Sequence, residues 1–317
     1  MFKKFGAVLI VFILLLGGCA KPMNNGKLEK VGLLVPETIH DQVWGTEGYK
    51  GLLKIQSDFG IDVFYKEGMN SNIIVEQAVK DFKEKGVNLI IGHGSDYSEI
   101  FNELASDYKN IHFVSFNGDA REPNTTSLRF EANAMGFFGG MVAAEMSKTK
   151  KVGVIAAFEW QPEVEGFYEG AEYQVENAEV DIRYVNNWDN SEKALQMLHE
   201  MMKNGVDVVY PAGDGFNVPV IEKIKEKGLY AIGFVSDQKD LGESTVLTST
   251  VQHVDSLYEL AAQKFNENEL KSGNLYFDFQ DGVISMGEYS PSVDKAFQKK
   301  MDKHIKRYIE TGKLPNE

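Results

Sequence analysis

Eight short apolar runs recur along this chain, each separated from the next by an amphipathic stretch, and that rhythm leaves few folds open. The first four are KVGLLV (30–35), IDVFY (61–65), VNLIIG (87–92) and IHFVSF (111–116). The second four are KVGVIAA (151–157), VDIRYV (180–185), VDVVYP (206–211) and LYAIGFV (229–235). Nearly continuous in apolar character, they read as strands buried on both faces. The stretches between them repeat apolar residues at a period near 3.6, which reads as helix. Strands alternating with helices predict an α/β architecture whose parallel sheets are covered on both sides.

The two sets also resemble each other. DFKEKGVNLIIGHGSDYSEI (81–100) aligns with EMMKNGVDVVYPAGDGFNVPVI (200–221) around Gly86 and Gly205. IHFVSFNGD (111–119) lies over LYAIGFVSD (229–237), so Asp119 falls opposite Asp237. Any two βα units look alike, so the alignment is weak support for duplication. It is good support for two similar α/β lobes, and 317 residues suffice for two.

Ahead of the first strand stands MFKKFGAVLIVFILLLGGCAKP, which contains Cys19, the only cysteine of the chain. Lys3 and Lys4 make a basic start, Ala7 to Leu16 a short apolar segment, and Gly17 and Gly18 are small residues before the thiol. That is the anatomy of an export signal, too short to span a bilayer comfortably. Leu16-Gly17-Gly18-Cys19 resembles the lipobox of bacterial lipoproteins, in which the peptidase cuts before a diacylglyceryl cysteine. We therefore expect a signal peptide at 1–18, lipidation at Cys19 and a polar tether over 19–28. Acyl chains would hold the mature chain on the extracytoplasmic face of the cell membrane without a spanning helix. With one thiol no intramolecular disulfide can form, so the core must supply the stability.

Charge narrows the partners. The chain carries a formal −14, and removal of 1–18 takes two lysines and no acid, giving −16. Nucleic acid rewards clustered Lys and Arg, so no direct contact with it is expected. Catalysis is not expected either. GHGSDY (92–97) and GDGFNV (213–218) fail the G-x-G-x-x-G pattern, and HEMMK (199–203) fails H-E-x-x-H at Lys203. No G-x-S-x-G elbow appears, the six histidines are scattered without metal-ligand spacing, and no cofactor is implied.

Ligands of open parallel sheets gather at the carboxyl ends of the strands. The loops at those ends hold aromatics beside short acids and amides: His40, Asp41, Trp44, Asn117, Asp119, Trp160, Asp214, Phe216 and Asp237. Such residues suit a flat ring bearing hydroxyls, the ring stacking on aromatics while carboxylates accept from the hydroxyls. Each has a plainer reading: an aromatic after a strand commonly caps the core, and Asp214 or Asp237 serves equally well as a helix N-cap. Trp44 is the exception, since packing seldom asks for Trp in a Gly-flanked loop.

KVGLLVPETIHDQVWGTEGYKGL (30–52), LRFEANAMGFFGGMVAAEMSKTKKVGVIAA (128–157), PAGDGFNVPVIEKIKEKGLYAIGFVSDQ (211–238) and VLTSTVQHVDSLYE (246–259) resemble the basic membrane protein family. These are lipoproteins with a type I periplasmic-binding-protein fold, some of them purine-nucleoside receptors of ABC importers. The resemblance runs from about residue 29 to 290, and GFVSDQ with VLTSTV is its most specific part. It implies a nucleoside-like ligand bound between two lobes, with an ABC permease or a signalling membrane protein as further partner. Asp41 keeps the acid of the family's first loop and Trp44 stands for its stacking Phe, but Gly45 replaces its sugar-binding Asn. Asn117 falls where the receptors have Asp for the base edge, Asp237 matches the ribose-binding acid, and Phe216 would be a second stacking wall. Gln252 and His253 stand where importers tend to have Lys. These departures fit a drifted receptor better than a dedicated importer component. The resemblance also implies three crossings between lobes, near 120–130, 236–250 and 268–276. One lobe would then hold 29–125 plus 252–267, the other 128–240 plus 276–317. The tail 290–313 reads as a docked amphipathic helix with basic residues toward its end.

Overall fold

The computed structural model describes residues 27–40 and 44–317. The expected signal, Cys19, most of the tether and Asp41 lie outside the described residues. Five elements come first: β1 (Lys30–Leu34), α1 (Trp44–Phe59), β2 (Asp62–Lys66), α2 (Asn72–Glu84) and β3 (Leu89–Gly92). Then follow α3 (Tyr97–Leu104), β4 (His112–Phe116), β5 (Thr125–Phe130) and α4 (Asn133–Met146). The second half begins β6 (Lys151–Ala156), α5 (Pro162–Gln174), β7 (Glu179–Tyr184), α6 (Ser191–Lys203) and β8 (Val208–Ala212). It continues α7 (Asp214–Glu226), β9 (Tyr230–Val235), β10 (Val246–Gln252) and α8 (Val254–Asn266). Last come β11 (Gly273–Phe277), β12 (Ile284–Met286) and α9 (Lys295–Thr311).

Two six-stranded sheets result, ordered β11-β5-β4-β3-β1-β2 and β12-β10-β9-β8-β6-β7. Every pairing is parallel except β10 with β12. The eight apolar runs are β1 to β4 and β6 to β9, four adjacent strands of each sheet with β2 and β7 at one edge, and both sheets have the same order. The remaining four, β5 and β11 in one sheet and β10 and β12 in the other, form the side of each sheet where the chain changes sheet. It crosses between β5 and α4, between β10 and α8, and between β11 and β12. Residues 128–130 therefore pair within the first sheet, as do 276 and 277, where the sequence put them with the second lobe.

Local chemistry explains the repeated units. Gly86 follows α2 and Gly205 follows α6, with φ of 80° and 88° in the left-handed region that glycine reaches without a Cβ clash. Beyond them Val87 donates its N–H to the Phe82 carbonyl and Val206 to that of Met201, both across six residues. Each helix thus ends in a Schellman motif that turns the chain directly into β3 or β8.

α4 is buried on every side from Ala134 to Ala144, wedged between the second sheet and α5. The seam between α4 and α5 has no side chains at four points. A Cβ on Gly136 would come within 2.1 Å of the Glu163 carbonyl oxygen, and one on Gly140 within 2.1 Å of that of Phe167. From the other side, Cβ atoms on Gly166 and Gly170 would meet the Asn133 and Phe137 carbonyls at 2.0 and 1.9 Å. Backbone rests on backbone. α9 docks through Tyr308, whose ring lies 6.1 Å from Phe138 and 5.8 Å from Phe279 and whose hydroxyl donates to Asp278 at 3.0 Å. Its last turn carries no basic residue, so the expected partner for the helix dipole sits one turn too early, at Lys306 and Arg307.

Candidate functional site

A cavity of about 570 Å³ lies where the carboxyl ends of the two sheets meet. Residues after β1, β2, β3, β4, β6, β7 and β8 line it, together with the end of β9 and with Arg129 to Ala132, Gln252 and Tyr276 from the crossing strands.

The first-sheet wall is built on Trp44. It opens α1, and its indole lies flat on the His93 ring and edge-on to Phe116 and Phe130. The indole N–H donates to the His93 carbonyl at 3.3 Å. His93 is fully buried; its Nε2 lies 2.6 Å from the Trp44 carbonyl and its Nδ1 2.9 Å from the Tyr258 hydroxyl. A carbonyl only accepts, so Nε2 carries a proton, and in the neutral ring Nδ1 accepts from Tyr258. Burial raises the Tyr258 pKa well above the ordinary 10, which keeps that donor protonated. α1 can approach this ring because residue 48 is glycine: a Cβ there would lie 2.6 Å from His93 Nε2.

The second-sheet wall is an aromatic trio. Trp160 stacks on Phe158 at 5.7 Å and meets Trp188 edge-on at 5.8 Å, yet remains 56% exposed. Gln161 braces the loop: its Oε1 accepts from the Phe158 N–H at 2.7 Å, and its Nε2 donates to Glu163 at 2.8 Å and to the Ala212 carbonyl at 3.1 Å. Burial pushes the Glu163 carboxyl above its ordinary range. Trp188 and Asp189 are held beside Asp214, since Gly215 donates its N–H to the Trp188 carbonyl at 3.0 Å and Ser191 its hydroxyl to that of Gly215 at 3.2 Å.

Glu37, Asp96, Glu131, Glu163, Asp189 and Asp214 line the cavity together with one arginine, Arg129. A cavity so lined repels anions and offers acceptors to hydroxyls. Among the described residues no group of His, Cys, Asp and Glu could hold a metal ion.

Of the residues the sequence singled out, Trp44, Asn117 and Asp214 come together on the cavity, joined by Trp160 and Gln252. Two do not. Phe216 is fully buried in the second-lobe core, its ring filling the space a Cβ on Gly213 would take, so it is a packing residue and no stacking wall. Asp237 lies off the wall, its carboxylate accepting the Glu288 N–H at 2.9 Å and the Lys239 N–H and Ser249 hydroxyl at 3.3 Å. It ties the loop after β9 to the segment after β12. Its partner in the internal alignment does the same work, for Asp119 accepts from Asn274 on β11 at 2.7 Å. His93, Arg129, Trp188 and Tyr276 escaped the sequence reading. Trp188 was within reach, since NNWDN (186–190) follows a strand as the other loops do.

One further match between the halves bears on the cavity. Asn117 and Val235, aligned in the two repeats, end β4 and β9 with φ of 54° and 64°. The left-handed conformation suits Asn, whereas for a β-branched residue it is strained by about 1–2 kcal/mol. Both line the cavity.

Comparison with known proteins places the chain. A match to the Bmp family, described as ABC transporter substrate-binding protein PnrA-like, spans residues 28–317. The chain belongs to the Bmp family. It is 54% identical over 303 residues to the transcriptional activator protein med of Bacillus subtilis (strain 168), covering 96% of each. It is 22% identical over 319 residues to the ABC transporter nucleoside-binding protein BmpA of Lactococcus lactis subsp. cremoris, covering 89% of each. A solved structure, a transcriptional activator of the comK gene from Bacillus halodurans, superposes with a TM-score of 0.85 at 53% identity. That match covers 90% of this chain and 99% of the other. The Bmp chain described here thus has the type I periplasmic-binding-protein fold, which solute-binding proteins of lower identity share. Among its described residues no helix is long and apolar enough to cross a membrane.

Proposed function

We propose that this protein binds a nucleoside-like molecule between its two sheets and is held through lipid on Cys19 at the outer face of the cell membrane. In that position its effect on transcription, the role suggested by its transcriptional-activator relatives, is indirect. The observation that carries the reading is a pair of tryptophans, Trp44 and Trp160, contributed by opposite sheets to one cavity that Glu37, Asp96, Glu131, Asp189 and Asp214 also line. A base stacked on an aromatic is worth about 1–3 kcal/mol. A hydrogen bond to a charged acceptor adds about 1.5–3 kcal/mol. Two stacks and two or three such bonds reach micromolar affinity after the costs of association. The three crossings supply hinges for closure over the ligand. A nucleoside-binding relative supports the ligand class, and the acidic chain supports action without DNA contact.

Thermal unfolding of the protein beginning at Cys19, measured against a panel of nucleosides, tests the ligand. A binder at a hundred times its Kd stabilises by about 2.7 kcal/mol and raises the Tm. If no nucleoside moves the Tm, the reading fails. Cys19→Ser tests the anchor: the protein should leave the membrane fraction, and unchanged fractionation would refute anchoring.

A further inference from the structure

Residues 295–313 hold seven Lys and Arg against two acids, whereas the whole chain has 33 bases and 47 acids. α9 divides along its length. Phe297 and Met301 are buried and Ile305 and Tyr308 half-buried, which fixes the face that docks. Lys295, Lys299, Lys300, Lys303, Lys306 and Arg307 are all exposed. The two acids of this helix leave the exposed face basic: Asp302 lines the groove between α9 and β12 together with Tyr289, and Glu310 pairs with Lys306 at 3.9 Å. Among the described residues Lys299, Lys303 and Arg307 have no carboxylate partner. Burial, with Lys300 and Arg307 close by, lowers the His304 pKa. Tyr173 of α5, 41% exposed, meets that imidazole edge-on at 6.3 Å between ring centroids. None of the bases sits in the last turn, so the helix dipole does not account for them.

Resting on the lipid anchor proposed above, we infer that the exposed face of α9 lies on anionic lipid headgroups of the bilayer to which Cys19 tethers the protein. Leu28 follows Cys19 by nine residues, and its N–H is held by Asn266 at the end of α8. Such a span reaches about 30 Å at most. The folded body therefore stays beside the membrane, free to turn until a surface of opposite charge meets it. Lys and Arg within reach of an anionic bilayer are drawn to it. At physiological salt charges are screened beyond about 8 Å, so acids on the far side of the body do not cancel the attraction. Tyr173 suits the headgroup layer, where an aromatic ring with a polar tip is at home. The acyl chains hold the protein, and α9 sets which side of it faces the lipid.

Vesicle co-sedimentation tests this with the protein beginning at residue 19 and carrying Cys19→Ser, so that no acyl chain contributes. Vesicles of phosphatidylglycerol and phosphatidylcholine in equal parts should bind it about tenfold or more tighter than phosphatidylcholine alone, and high salt should abolish the difference. Joint replacement by Lys299→Gln, Lys303→Gln and Arg307→Gln should weaken binding to the anionic vesicles about tenfold. Lys80→Gln, Lys203→Gln and Lys227→Gln together remove the same charge from exposed positions on or beside α2, α6 and α7, and should leave binding unchanged. Should the α9 variant fail to fold, hydrogen exchange on the vesicle-bound parent decides instead, with protection gained in α9 and in no other helix. No preference for anionic vesicles, or equal losses in the two triple variants, would overturn the contact. Binding to heparin without binding to the vesicles would assign the face to an acidic macromolecule and overturn it too. Because no acyl chain is present, each of these failures leaves the anchor at Cys19 standing; fractionation of the lipidated protein tests that separately.

Discussion

The Trp44 indole lies flat on the His93 imidazole, with 4.3 Å between ring centroids and 11° between planes. One face of the tryptophan is thus committed to the protein, which makes it part of the wall before any ligand arrives. Trp160, across the cavity, has no such commitment to the core.

The two tryptophans should separate by experiment. Trp44→Ala removes a half-buried ring and its stack on His93, and should lower stability by about 2 kcal/mol as well as weaken ligand binding. Trp160→Ala should leave the Tm near the wild-type value and weaken binding by about 1–3 kcal/mol. Denaturant melts and calorimetry on both variants check the contrast. Equal loss of stability in the two would refute it.

The seam between α4 and α5 offers a test with its own control. Gly140→Ala and Gly170→Ala drive a methyl group into a backbone carbonyl, and each should cost about 3 kcal/mol or more. Gly139→Ala lies one residue away, and its nearest neighbours would be 3.5 Å distant, ordinary contact. Since alanine favours helix over glycine by about 1 kcal/mol, that variant should be neutral or stabilising. Urea melts of the three proteins decide it.

Strain at Val235 reverses an ordinary ranking. Both Val235→Ala and Val235→Gly lose the buried side chain, but only glycine relieves the left-handed φ of 64°. Val235→Gly should therefore be more stable than Val235→Ala by about 1 kcal/mol. Chemical denaturation of the pair gives the sign, and an alanine variant the more stable of the two would contradict the strain.

Acid should weaken the fold through His112. Burial lowers its pKa from 6.5 to about 4, and its Nε2 lies 2.7 Å from the Thr126 hydroxyl. The unfolded chain then binds the proton more readily than the folded one. Above pH 6.5 both forms are neutral and nothing is lost; between pH 6.5 and about 4 stability falls as the unfolded imidazole protonates. His112→Gln should flatten that part of the stability–pH curve. A slope identical to the wild type would show that other groups produce it.

The sequence made the eight strands of the repeated runs legible because their apolar residues are nearly continuous, and the glycines at 86 and 205 because their turns demand them. The crossing strands were hidden for a physical reason. β10 reads VLTSTVQ, yet Thr248, Ser249 and Thr250 are all fully buried. Their hydroxyls are satisfied inside the sheet, Thr248 donating to the Gly287 carbonyl at 2.9 Å and Thr250 to that of Gly233 at 3.1 Å. Hydrophobic patterning cannot register a strand buried on polar side chains. With β5 and β11 unread, Arg129 and Tyr276 had no place on any wall. Phe216 and Asp237 misled for the opposite reason: their positions in the loops suited a ligand, but their side chains turn to the core and to the neighbouring backbone. Residue type at a strand end gives proximity to a site, and only packing gives direction.

The bare contact between α4 and α5 also bears on how such a chain can vary over generations. Every single-base missense change in a glycine codon introduces a residue with a Cβ, so at 136, 140, 166 and 170 the genetic code offers no near neighbour that fits. Lineages that keep this fold should therefore hold these four sites still even where their neighbours exchange one apolar side chain for another.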